Sequence, residues 1–88
     1  MFGPKENINV KIKLFSGLDR QAGVDDYDPD IGIDLDISRG TRLKKVIRLI
    51  GLNRYDATAF FVNGRKAGLR ERLNDGDVVF CMRPIVGG

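Results

Sequence analysis

Three groups in this chain have residue types and spacing that chemistry could use: a lone thiol at Cys81, alternating carboxylates at Asp26, Asp28 and Asp30, and the glycines of RPIVGG, Gly87 and Gly88. The thiol has no companion. A single cysteine excludes an internal disulfide, a CxxC redox pair and a cysteine-held cluster. Its place beside Val79 in the alternation of VVFCMR predicts a buried strand residue. The aspartates begin like a calcium loop, but that loop needs glycine at its sixth position and glutamate at its twelfth, where Ile31 and Ile37 stand. A solvated acidic loop is expected instead, with no metal. Histidine is absent altogether, which removes a Ser-His-Asp or Cys-His nucleophile and the commonest zinc ligand. These exclusions weigh against self-contained catalysis.

The glycine pair remains. Pro84 cannot donate to a sheet ladder, so pairing should stop there and the chain should leave the fold extended. Five steps separate Arg83 from Gly88, a reach of roughly 17 Å at full stretch. Without Cβ atoms, Gly87 and Gly88 could thread a channel too narrow for other residues. What they would present is a carboxylate. A carboxylate is a poor electrophile until activated, most simply by adenylation with ATP, after which a nucleophile can attack. Ile85 and Val86 would be the apolar handles of an enzyme that grips such an end. The expected organisation is a flexible stretch over 1–7, one folded domain over 8–83 and an extended tail over 84–88.

The elements that must hold this tail can be read from periodicity. Ile8, Val10, Ile12 and Leu14 alternate with Asn9, Lys11 and Lys13, which predicts a half-buried strand. Leu18 and Ala22 suit a helical turn or two. After the loop at 25–30, Ile31, Ile33, Leu35 and Ile37 predict a second strand with all four inward. Leu43, Val46, Ile47 and Ile50 fall on one helical stripe, with Thr41 as its expected N-cap and Gly51 as its left-handed C-cap. Arg42, Lys44, Lys45 and Arg48 form its charged outer face. AFFVNG predicts a third strand ending in an Asn63-Gly64 turn, and residues 65–72 a short strand and a bend. Asn74 to Asp77 form a turn that launches the last strand. The class is α+β: a mixed sheet of four to five strands, one main helix on one face, in the β-grasp order.

The last strand is apolar on both sides. Val79 and Cys81 share one face; Val78, Phe80 and Met82 share the other. With Phe60 and Cys81 inside, Phe61, Phe80 and Met82 should be exposed together as a protein-binding patch. The alternative is that they fold under the acidic loop as a second small core.

Net charge is +3, unevenly spread. Residues 1–38 carry four basic and eight acidic side chains; residues 39–88 carry eleven basic and four acidic. The basic half suits an acidic protein surface or a nucleic-acid backbone. As an RNA-binding module, however, it lacks a recognisable motif. No stretch is long enough to span a bilayer and MFGPKENIN has no apolar signal core, so a cytoplasmic protein is expected.

Three segments resemble the MoaD/ThiS family of ubiquitin-like sulfur carriers. KIKLFSGLDRQAG is similar to the MoaD first strand, Leu-Phe and short helical turn closing at Ala-Gly. TRLKKVIRLIG is similar to the family's single helix. FFVNGRKAGLRERLNDGDVVFCMRPIVGG is similar to the Val-Asn-Gly turn, the Leu-x-Asp-Gly-Asp turn, the last strand and the Gly-Gly tail. The resemblance implies that an adenylyltransferase related to ubiquitin-activating enzymes uses ATP to adenylate the Gly88 carboxylate. A sulfur donor then yields a thiocarboxylate. A second partner, such as the molybdopterin synthase large subunit or a thiazole synthase, takes the sulfur into molybdopterin or its tungsten analogue, thiamine or cysteine. It further implies that Gly87 gives clearance and that Phe61, Phe80, Met82, Arg83, Pro84, Ile85 and Val86 meet the partners. No tightly bound cofactor is implied. A ubiquitin-like modifier joined to a target lysine through Gly88 would share the activation step.

Overall fold

The computed structural model describes residues 6–52 and 58–83. Its elements are β1 (Asn7–Leu14), α1 (Leu18–Gln21), β2 (Ile33–Ser38), α2 (Leu43–Leu49), β3 (Ala59–Val62), β4 (Arg65–Ala67) and β5 (Val78–Met82). The strands form one sheet in the order β2-β1-β5-β3-β4. β1 runs antiparallel to β2 and parallel to β5, while β3 is antiparallel to both β4 and β5. This mixed five-stranded sheet is the β-grasp that the order of the elements predicted.

Period-two burial decides the faces. Ile8, Val10, Ile12 and Leu14 are buried, while Lys11 and Lys13 on the other face are half-buried. Leu43, Val46 and Ile47 of α2 join them in one core with Leu18, Leu52, Phe60, Leu73, Val79 and Cys81. Lys44, Lys45 and Arg48 are exposed, as the helical stripe required. α1 is a single turn whose role is to insert Leu18, which is fully buried.

Three local expectations are corrected. Ile31 does not point inward: it is 55 % exposed, and β2 starts at Ile33. The amides of Ile31 and Gly32 both donate to the Asp28 carbonyl, closing a turn. Gly32 has φ +77°, and a Cβ there would lie 2.7 Å from the Ile12 carbonyl oxygen. The apolar alternation therefore runs on through a residue that the turn has already diverted.

Thr41 is not the helix cap. Its Oγ1 donates to the Ser38 carbonyl at 2.6 Å, and Arg42, with extended backbone, holds the N-cap position. The first amides of α2 are satisfied from a distance: Leu43 N donates to Glu71 O at 2.8 Å and Lys44 N to Leu69 O at 2.9 Å. At the other end the expectation holds. Gly51 has φ +91°, Gly51 N donates to Arg48 O and Leu52 N to Ile47 O, and Leu52 is buried against the core. That is a Schellman ending.

The third correction concerns the first strand, which begins before residue 8. Asn7 pairs with Ser38, and Glu6 accepts from the Arg39 amide and pairs with its guanidinium at 2.6 Å. No helix among the described residues is long and apolar enough to cross a membrane.

Candidate functional site

The site grows from the two-faced β5. Val79 and Cys81 are buried against α2; Val78, Phe80 and Met82 face the other way and are half-buried. The sheet register then brings the expected residues together. Phe61 of β3 stands opposite Phe80, and Ala59 opposite Met82. Phe61, Phe80 and Met82 thus share the face away from the helix, but as half-buried side chains, since their strand neighbours cover part of each. The acidic loop does not fold them into a second core: its aromatic, Tyr27, packs on the main core, and its hydroxyl accepts the Leu14 amide at 2.6 Å.

Sequence reasoning missed Phe15. It is 38 % exposed, and its ring meets Phe80 edge to face with centroids 5.7 Å apart. Extending the alternation of β1 by one residue would have found it, because 11, 13 and 15 share a face. Its amide donates to the Cys81 carbonyl, so pairing continues past the strand end. Lysines border the apolar strip: Lys13 pairs with Phe80 and Lys11 with Val78 on one side, and Lys66 stands opposite Phe61 on the other. An aromatic and methionine strip rimmed by cations has the composition of a protein-docking surface.

Two turns fix where β5 lies. Asn63, with φ +52°, accepts the Val78 amide on Oδ1 and donates from Nδ2 to Asp77 Oδ1 at 2.8 Å. The other Asp77 oxygen accepts the Asn74 amide at 2.7 Å. The Val-Asn-Gly and Asp-Gly-Asp turns are thus one hydrogen-bonded clamp, and it leaves the buried Asp77 carboxylate satisfied.

At the far end of β5, Arg83 is exposed and held to the α1 region. Ser16 Oγ donates to its carbonyl at 3.3 Å, and its Nη2 donates to Gln21 Oε1. Residues 84–88, and with them Pro84, Ile85, Val86, Gly87 and Gly88, lie outside the described residues. Cys81 is fully buried, and that burial pushes its thiol up to about 12, so it is no nucleophile at neutral pH. Arg65 grips Glu71 through both guanidinium nitrogens. The hydrogen bond holds the Glu71 carboxyl below its usual range. That pair steadies the segment whose carbonyls cap α2.

No family model matches the chain, and no curated protein does. Solved structures do. A protein described as molybdopterin converting factor subunit 1, from Pyrococcus furiosus, is 25 % identical with a TM-score of 0.67, covering 89 % of this chain and 99 % of its own. Small archaeal modifier protein 1 of Haloferax volcanii gives 22 % identity and a TM-score of 0.69, over 91 % of this chain and 99 % of its own. Its namesake from Methanosarcina acetivorans gives 20 % and 0.59, over 94 % and 99 %. The chain therefore has the fold of small ubiquitin-like proteins, and the structures it resembles are MoaD-like and small-modifier proteins. The resemblance read in the sequence holds at that level.

Proposed function

We propose that the chain is a ubiquitin-like sulfur carrier acting in the cytoplasm. Its Gly88 carboxylate attacks the α-phosphorus of ATP on a partner adenylyltransferase, and pyrophosphate leaves. Sulfur at the hydrosulfide level from a donor protein displaces AMP, leaving a thiocarboxylate for a second partner to consume. The carrier contributes no catalytic side chain and holds no cofactor of its own. Phe15, Phe61, Phe80 and Met82 seat both partners in turn. Arg83 fixes where the tail begins, Pro84, Ile85 and Val86 meet the partners, and Gly87 gives clearance. The observation that carries this reading is the outer face of β5, where Phe80, beside Phe15 and Phe61, and Met82 lead directly to the Arg83 that precedes the Gly-Gly sequence. Early Leu14-Phe15 favours molybdopterin or the tungsten cofactor over thiamine as the destination.

The modifier proteins among its structural neighbours support a second reading, in which a target lysine amine attacks the Gly88 acyl-adenylate, AMP leaves and an isopeptide forms. One reconstitution separates the two. Incubate the chain with its adenylyltransferase, ATP, a sulfur donor and a cell extract as the source of target lysines, and weigh the free chain and any conjugate. The carrier reading expects one oxygen of Gly88 exchanged for sulfur; the modifier reading expects Gly88 in an isopeptide with a lysine. Neither change appearing would contradict both.

A further inference from the structure

Apart from Phe15, the large apolar side chains that stand exposed among the described residues are Ile31 at 55 % and Leu49 at 56 %. Neither lies on the aromatic strip, and their settings are opposite in charge. Ile31 follows Asp25, Asp26, Asp28 and Asp30, all exposed. Leu49 ends α2, and with Arg42, Lys44, Lys45 and Arg48 it lines an open depression of about 450 Å³. None of these cations or carboxylates is ion-paired among the described residues, where the salt bridges are Arg39–Glu6 and Arg65–Glu71.

Both patches border β2, an edge strand of the sheet. Lys45 and Leu49 also line a second depression of about 320 Å³, together with Asp36, Ile37 and Ser38 of β2. Ile31 stands two residues before β2 begins, on the turn closed by the Asp28 carbonyl. A cationic patch with a bare leucine and an anionic patch with a bare isoleucine thus share one flank. A surface complementary to itself is what a two-fold interface requires.

We propose that a second copy of this chain covers this flank, the 25–31 loop of each protomer seated against α2 of the other. Four carboxylates meet four cations at each of the two contacts, and each contact covers one exposed aliphatic from either side. Backbone pairing of the two β2 edges is not the contact, because it would set Asp34 and Asp36 of one copy beside those of the other. Nucleic acid fits the flank poorly: α2 offers no aromatic for base stacking, and Leu49 gains nothing against phosphates. Phe15, Phe61, Phe80 and Met82 are not among the residues that make up these two patches. The inference stands independently of the sulfur-carrier reading.

The test is sedimentation equilibrium of the full chain up to about 1 mM, enough to detect a millimolar dissociation constant. A dimer is expected whose dissociation constant rises with added salt. The variants Lys45→Glu/Arg48→Glu and Asp25→Lys/Asp30→Lys should each raise that constant at least about tenfold. Mixed in equal amounts they should associate more tightly than either variant alone, because the mixed dimer keeps one contact of four carboxylates against four cations, which neither variant makes with itself. Circular dichroism checks that each is folded; should a pair of charge changes unfold the chain, Leu49→Ser and Ile31→Ser replace it and should weaken the dimer likewise. A monomer at every concentration overturns the proposal, as does a dimer indifferent to these variants or a mixture that stays monomeric. A monomer that binds polyuridylate or polyglutamate instead would assign the flank to nucleic acid or to a foreign acidic protein.

Discussion

Phe15 stands edge-on to Phe80, the two ring centroids 5.7 Å apart at an interplanar angle of 73°. The pair spans the parallel contact between β1 and β5, on the face that α2 leaves uncovered. A geometry of this kind adds roughly 0.5–1.5 kcal/mol beyond area burial. It holds two large apolar surfaces rigid with no third layer among the described residues to hide them, which is what a docking anchor needs.

Phe80→Asp and Met82→Asp should therefore weaken partner docking while the chain still folds. Truncating a central aromatic anchor typically weakens an interface by about 2 kcal/mol or more, roughly thirtyfold in affinity. Binding to the adenylyltransferase by titration calorimetry, beside a thermal melt of each variant, checks this. Unfolding of Phe80→Asp would place that ring in the core.

The clamp between Asn63 and Asp77 should matter to stability and not to chemistry. Asn63→Ala leaves the Val78 amide without its acceptor and the buried Asp77 carboxylate without one of its donors. The expected loss is about 1–3 kcal/mol in urea unfolding. Asn74→Ala is the control, since Asn74 serves the turn through its backbone amide and carbonyl; it should stay within roughly 0.5 kcal/mol of wild type.

Cys81 gives stability a dependence on alkaline pH. Folded, its thiol is raised from 9.0 to about 12 by burial; unfolded, it ionises normally. A raised pKa means the contribution is complete below pH 9 and is lost progressively as pH climbs towards 12. Other groups titrate there too, so the measurement is a difference: wild type should lose more stability than Cys81→Ala between pH 8 and pH 10.5. At pH 8 a thiol reagent should label the folded chain slowly and the urea-unfolded chain at once.

Gly51 tests the ending of α2. Its φ is +91°, and a Cβ would come within 2.8 Å of the Ala22 carbonyl oxygen. Gly51→Ala meets both backbone strain and that contact, so a loss of about 1–3 kcal/mol is expected, read by the thermal melt.

What the sequence disclosed divides along a physical line. Burial by strand and helix period depends on neighbours two to four residues away, so Val10, Ile12, Val46 and Ile47 were legible. So were the Asn63-Gly64 turn and Gly51, where backbone conformation dictates residue type. The N-terminus of α2 was not, because its cap is made by carbonyls of Leu69 and Glu71, more than twenty residues on. Thr41 had the right chemistry in the wrong place. Ile31 misled because hydrophobicity continues through a turn whose signal, Gly32, is a single residue. On the face away from α2, Phe61, Phe80 and Met82 came from the double-sided patterns of β3 and β5, while Phe15 fell just past the end of its strand. The links from Arg83 to Gln21 and Ser16 join groups over sixty residues apart, and nothing local announces them.

The most direct measurement is the intact mass of the chain after incubation with adenylyltransferase, ATP and a sulfur donor, beside a version lacking Gly88. One oxygen replaced by sulfur in the first, and no change in a second that melts like wild type, is the predicted result. A full-length chain that emerges unaltered from an active mixture, or a shortened chain that accepts sulfur as readily, would contradict the account.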